Sequence, residues 1–312
     1  MLTIRKIMAC AFLLPAFVFL ASSARAITIG LVTINQQALF FNQINEGANA
    51  EAKKQGAQLV IFNANNQPTA QNSAIEDYVA QKVDAIIVIA IDVNGIKPAI
   101  TTAKQAGIPV IAIDARIPNG DNATFIGVDN KSAGEQIGKY VVEWSQKNDK
   151  KLKIGFVGAL NSAIQNERLD GFKAALQAGK INATFADTVD GQNVQDVALT
   201  ASENLLTGNP DLNAIYATGE PALVGSISAL TSQNRTKDIS LFGWDLTEQA
   251  IRGIDEGWIV AVVQQDPAQE GRRAVDAAVK LKKGETVPAN VDVPVTIVTK
   301  ENVDKFRALF KK

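Results

Sequence analysis

Histidine is missing from all 312 residues, and the sulfur is confined to the first ten: one cysteine, Cys10, and two methionines, Met1 and Met8. Without imidazole there is no Ser-His-Asp or Cys-His nucleophile system and no ordinary zinc site. With one terminal cysteine there is no disulfide, so the fold must be held by its core, and a chain of this length that is 46% hydrophobic can build one or two. Neither sign of charge dominates: Lys and Arg total 31 against 32 Asp and Glu. No basic excess is present to attract nucleic acid or an anionic membrane surface. Also absent are G-x-G-x-x-G after the first strand and G-x-x-x-x-G-K-[ST], which disfavours dinucleotides and nucleoside triphosphates. No cofactor, metal site or catalytic residue is expected on these grounds, although chemistry by carboxylates alone remains open.

The one long apolar run is at the start. Arg5 and Lys6 precede Ile7 to Leu20, and Ala24-Arg25-Ala26 follows, just before Ile27-Thr28-Ile29-Gly30. The run is shorter than the roughly 20 apolar residues of a spanning helix. Basic start, apolar middle and small-residue exit read as a cleavable secretory signal, residues 1–26, cut after Ala26. Cys10 lies before most of the apolar run instead of after it, which argues against a lipoprotein. Cleavage removes Arg5, Lys6 and Arg25 and leaves 28 basic against 32 acidic side chains, a net charge of about −4.

Beyond Ile27, short β-branched runs alternate with amphipathic stretches, the pattern of βαβ units and a parallel sheet. Strands are predicted at 27–34, 57–63, 84–91 and 108–113, then at 152–159, 182–189, 213–217, 238–243 and 259–264, with helices between. Ala85 to Ile91 is apolar on both faces, as in a central strand covered by helices on each side. Nine strands in two runs predict two doubly wound α/β lobes, not one sheet. The seam falls near Gly127-Val128-Asp129-Asn130, and no flexible linker marks it. The expected lobes are 27–128 with about 266–294, and 129–265 with about 295–312. Ligands of such sheets bind beyond the carboxyl ends of the strands, here in a cleft between the lobes.

Those strand ends carry Asn35, Gln37, Phe40 and Phe41; Asp114 and Arg116; Asn161, Ser162 and Arg168; Glu220; Trp244 and Asp245; and Gln265. Carboxylates accept from vicinal hydroxyls, a guanidinium donates through a planar fork, amides do both, and an aromatic face covers the C–H side of a sugar ring. Each residue also has a plainer role. Asp114 could cap a turn, Trp244 could be core, Arg168 could pair with Glu167 or Asp170, and either Asp245 or Thr247 could cap the next helix.

The order and spacing of Gly107-Ile108-Pro109-Val110-Ile111-Ala112-Ile113-Asp114, Glu167-Arg168-Leu169-Asp170-Gly171-Phe172, Gly243-Trp244-Asp245 and Gln265-Asp266-Pro267 resemble the periplasmic sugar-binding proteins of ABC importers, the ribose and galactose group, from about Ile27 onward. The resemblance implies that Phe40 and Trp244 sandwich a sugar ring while Asp114, Arg168, Asp245 and Gln265 bond its hydroxyls. It implies three interlobe crossings, near Val128-Asp129, Gln265-Asp266 and 293–296. Against ribose binders, an Asn is replaced by Ala38, an Arg by Ala115, an aromatic by Asn193 and an Asn by Gly219. Asn35, Gln37, Arg116 and Glu220 are therefore candidates to replace lost contacts, and Asn193 joins the expected ligand set. The resemblance further implies a monomeric periplasmic receptor for a monosaccharide or polyol, serving an inner-membrane ABC permease, with no enzymatic activity; a chemoreceptor is compatible with this reading as a further partner. The rivals are a secreted carbohydrate-active enzyme using Asp114 and Asp245, and the effector domain of a lac-repressor-type regulator, whose DNA-binding segment has no counterpart at this N-terminus.

Overall fold

A computed structural model describes residues 26–36, 39–120 and 122–310. Residues 1–25 of the expected signal, and the candidate Gln37, lie outside the described residues. The chain begins with β1 (Thr28–Thr33), α1 (Leu39–Gln55), β2 (Gln58–Asn63), α2 (Pro68–Ala80), β3 (Ala85–Val88), α3 (Lys97–Gln105), β4 (Val110–Ile113) and β5 (Thr124–Gly127). The pattern restarts with α4 (Asn130–Lys147), β6 (Leu152–Gly158), α5 (Ala163–Ala178), β7 (Ala183–Asp190), α6 (Gln195–Gly208) and β8 (Ala214–Ala217). It continues through α7 (Glu220–Ser232), β9 (Ser240–Trp244), α8 (Glu248–Glu256) and β10 (Ile259–Gln264), and ends with α9 (Pro267–Lys282), β11 (Asn290–Asp292) and β12 (Thr296–Val298).

These strands form two six-stranded sheets, ordered β11-β5-β4-β3-β1-β2 and β12-β10-β9-β8-β6-β7. All pairings are parallel except β10 with β12. The two doubly wound lobes expected from the sequence are present. Alternation explains why each sheet is covered on both faces. In β3, Ala85 and Ile87 join one core while Ile86 and Val88 join the other, and Ile111 and Ile113 oppose Val110 and Ala112 in β4. β5, β11 and β12 were not expected. β11 and β12 are three residues long, too short for period-two patterning to register, and both lie at sheet edges.

The chain passes between the sheets after β5, after β10 and again between β11 and β12. Allegiance of the connecting helices is fixed by close helix pairs, α1 with α9 and α4 with α5. Each pair crosses on two glycines. A Cβ on Gly47 would strike the Ala268 carbonyl, and one on Gly271 the Ile44 carbonyl; Gly171 and Gly134 stand in the same relation to Lys131 and Arg168. Side chains at these four positions would push the helices apart, so the close crossing depends on their absence.

Candidate functional site

A cavity of about 300 Å³ opens between the lobes at the carboxyl ends of the strands, at the small end of the range for small-molecule sites. From the first lobe, Phe40 and Phe41 enter on the opening turn of α1, their rings edge to face with centroids 5.5 Å apart. Asp114 follows β4 directly. Its φ is 62°, in the left-handed region where Asp is among the few side chains tolerated, and its amide donates to the Ile126 carbonyl at 3.0 Å. Asp245, after β9, repeats this in the second lobe, with φ 61° and its amide on the Val263 carbonyl at 2.8 Å. Two equivalent turns thus aim two carboxylates into one cavity. Asp245 is not the cap of α8; that is Thr247, whose hydroxyl accepts from the Ala250 amide at 3.1 Å.

Arg168, on α5, is 5% exposed and lies across the inner wall. Its Nε donates to Asn130 Oδ1 at 2.9 Å and one Nη to the Thr218 carbonyl at 3.1 Å, and the guanidinium sits 3.7 Å above the Trp244 ring. It reaches neither Glu167 nor Asp170. Burial pulls its pKa down, while Asp245 and Asp114 push it back up. Burial raises the carboxyls of Asp114 and Asp245 above the ordinary range, and Arg168 draws both back. Among the described residues no ion pair joins Arg168 to either carboxylate, and all three side chains line the cavity. Gln265, 6% exposed, donates from Nε2 to Asp245 Oδ1 at 2.9 Å, and its Oε1 is buried without a donor. A buried acceptor on a residue of the cavity wall, with no donor among the described residues, can accept from a ligand hydroxyl or amine.

Phe40, Phe41, Asp114, Arg168, Asn193, Glu220, Asp245 and Gln265 all line this cavity. Trp244 does not. It is 0% exposed, lies in the core between α4, α5 and the sheet, donates from its indole to the Tyr216 hydroxyl at 2.7 Å, and is covered by Arg168. The guanidinium occupies the face that a sugar would have used, so the implied sandwich lacks its second slice. Arg116 is also elsewhere, 4.1 Å above Phe125 and bonded to Asn290, and Asn35 donates to Asn66 Oδ1 at 3.0 Å, away from the cavity.

Sequence reasoning missed Gln165, Gln43 and Phe310, all in the wall. Gln165 accepts from the Ala159 amide at 2.9 Å and the Thr218 hydroxyl at 2.8 Å, and donates to Asn193 Oδ1 at 2.9 Å. It also explains Gly219, where an added Cβ would lie 2.9 Å from Gln165 Nε2: the glutamine fills space that a side chain at 219 would take. Its spacing, one helical turn before Arg168, was the available signal. Gln43 stands likewise one turn after Phe40. Phe310, close to the chain's end, had no sequence signal.

Fold and site together define a two-lobed α/β receptor with its ligand cleft between the lobes. The chain belongs to the periplasmic binding protein domain family, which matches residues 29–286. It is 28% identical to the ribose import binding protein of Escherichia coli (strain K12) over 274 residues, 88% of this chain and 91% of that one. It is 26% identical to the xylitol-binding protein of Mycolicibacterium smegmatis, over 88% and 77% of the two chains. Among solved structures, an ABC transporter solute binding protein from Mycobacterium smegmatis with bound glycerol is 33% identical, with a TM-score of 0.79, covering 90% of this chain and 96% of that one.

Proposed function

We propose that the protein captures a monosaccharide or polyol in the interlobe cleft and delivers it to an inner-membrane ABC permease by hinge closure. The observation that carries this reading is the paired presentation of Asp114 and Asp245, one from each lobe, into a cavity that also holds Arg168, Gln265 and the Phe40-Phe41 face. A ligand favours the closed form only by contacts with both lobes at once, because contact with one lobe is the same open or closed. The three crossings, near 128–129, 265–266 and 293–296, are the hinges in this reading. The ribose, xylitol and glycerol of the relatives share the vicinal hydroxyls that such a site takes. The protein acts as a monomer in the periplasm after cleavage behind Ala26, without enzymatic activity. Of the candidate residues, Phe40, Asp114, Arg168, Asp245 and Gln265 make the principal contacts, and Phe41, Asn193 and Glu220 complete the wall.

The test is a thermal-shift screen of residues 27–312 against pentoses, hexoses, alditols, inositols and amino acids. Binding to the native state stabilises it by RT ln(1 + [L]/Kd), about 2.7 kcal/mol at a hundredfold excess over Kd, enough for a shift of several degrees. A shift with a sugar or polyol supports the reading; a shift with an amino acid and with no carbohydrate overturns it. Overnight incubation with the bound sugar, checked for products, separates receptor from enzyme.

A further inference from the structure

The cavity carries unbalanced charge. Four ionisable side chains line it among the described residues, the carboxylates of Asp114, Glu220 and Asp245 and the guanidinium of Arg168, for a formal charge of −2. Burial raises all three carboxyls above the ordinary range; Arg168 draws those of Asp114 and Asp245 back, whereas Glu220, exposed at the cavity's edge, has no such cation and is raised further by the like charge of Asp245. Glu220 makes no hydrogen bond or ion pair among the described residues. Arg116, a cation close in sequence to the site, is committed to Phe125 and Asn290. Position in the first turn of α7 suits a carboxylate through the helix dipole, but that role does not require the side chain to face the cavity.

Hydrogen-bonding capacity is lopsided in the same sense. Gln265 Oε1 is a buried acceptor with no donor among the described residues, and one of the two N–H groups of its amide is already given to Asp245. Arg168 has already given Nε and one Nη to Asn130 and Thr218. Acceptors exceed donors, and negative charge exceeds positive. A metal ion would answer the charge, but among the described residues no three His, Cys, Asp or Glu converge as a metal site would need. A primary ammonium answers both, with one positive charge and three N–H donors.

We propose that the ligand is an aminated sugar or polyol, bound with its ammonium at Glu220 on the side facing Asp245 and its hydroxyls toward Asp114, Arg168 and Gln265. The inference rests on the polyol reading above and narrows it.

The experiment is isothermal titration of residues 27–312 at pH 7 with matched pairs: glucosamine against glucose, galactosamine against galactose, an inosamine against its inositol, and the N-acetyl derivative of each amine. The expected result is at least one pair in which the amine binds tenfold or more tighter than its hydroxyl counterpart, with N-acetylation abolishing the gain. Glu220→Gln brings the amine-to-hydroxyl affinity ratio of that pair close to one, and Glu220→Asp retains a preference. A hydroxyl compound that binds as tightly as its amine in every pair, or with uptake of a proton when titrated in buffers of different ionisation enthalpy, overturns the inference and leaves the polyol reading standing. A preference that survives Glu220→Gln also overturns it. If no member of either series binds, this inference falls, and the polyol reading is decided separately by the thermal-shift screen with pentoses, hexoses and alditols.

Discussion

The two lobes are built alike and prepared differently. Strand orders correspond, the carboxylates follow equivalent strands with the same left-handed turn, and the helix pairs cross on corresponding glycines. Superposing those crossings in sequence pairs Gly171 with Gly47 and Gly134 with Gly271, which sets Arg168 opposite Ile44. The second lobe therefore has a buried cation where the first has an aliphatic chain. Around Arg168 the second lobe's wall is cross-bonded: Asn130, Thr218, Gln165, Asn193, Asp245 and Gln265 are joined by side-chain hydrogen bonds. Among the described residues the Asp114 side chain has no hydrogen-bond partner, and Phe40 and Phe41 are held by packing. One wall is assembled before the ligand arrives, which lowers the ordering cost of binding, while the other completes itself on the ligand.

The largest break in this comparison is Arg168→Ala. It removes the cation that offsets both carboxylates, orphans Asn130 Oδ1 and uncovers Trp244, so sugar affinity measured by calorimetry should fall by about 100-fold or more, roughly 3 kcal/mol. A loss under tenfold would mean that the second wall does not depend on it.

Next come the carboxylates. Asparagine keeps the left-handed tolerance of aspartate but lacks the charge. Asp114→Asn should cost about 1.5–3 kcal/mol of affinity, the worth of a hydrogen bond to a charged group. It should also stabilise the unliganded protein at neutral pH, because burial already disfavours this carboxylate in the native state. Asp245→Asn should cost similar affinity with a smaller stability gain, since the Gln265 amide supports the charged form there. Paired urea titrations and calorimetry separate the two; equal stability gains would erase the distinction between a supported and an unsupported carboxylate.

The two aromatics expected to sandwich a ring should dissociate in the same experiments. Phe40→Ala should lower affinity by about tenfold, in line with an aromatic contact of order 1 kcal/mol. Trp244→Phe should lower stability by about 1 kcal/mol through the lost indole bond to Tyr216, with affinity changing less than for Phe40→Ala. If Trp244→Phe instead weakens binding more than it destabilises, the guanidinium does not shield the indole from the ligand.

That exchange of roles marks the limit of what was legible. Alternation and strand-end position located both sheets and seven of the eight expected wall residues, because period two and the βα turn are local properties of the chain; Asn193 came from the family resemblance. Local patterning says that Trp244 ends a strand; which way the indole faces depends on Arg168, 76 positions earlier and on another element. Gln165 is the converse case, a residue with no motif of its own whose role follows from the space left by Gly219. Phe310 reaches the cavity from the chain's end, and no pattern at that end encodes the approach. Arg116 shows that a cation two positions from a site carboxylate is no guide to direction, since the Phe125 ring and Asn290 captured it.

The smallest expected effect tests the lobes' other inequality. In the same superposition Glu270 stands opposite Ala133, so the first lobe also buries an ionisable group, of opposite sign and from the other helix of its pair. Glu270 is 0% exposed and both its carboxyl oxygens lack hydrogen-bond partners. Burial raises its pKa well above 4.5; Asp114, Asp245 and Asp266 raise it further, and Arg168 is the one opposing charge acting on it. The native state therefore retains a proton that the unfolded chain releases above pH 4.5 or so. With the native state binding more protons than the unfolded one, stability falls as pH rises from there through the folded pKa. Glu270→Gln, which keeps the shape and cannot ionise, should remove this component of the slope between pH 5 and 8 and leave the variant the more stable protein at the upper end. Urea midpoints across that range decide it: parallel curves for the two proteins would mean that Glu270 ionises in the native state as freely as in the unfolded chain, and that the first lobe holds no hidden proton.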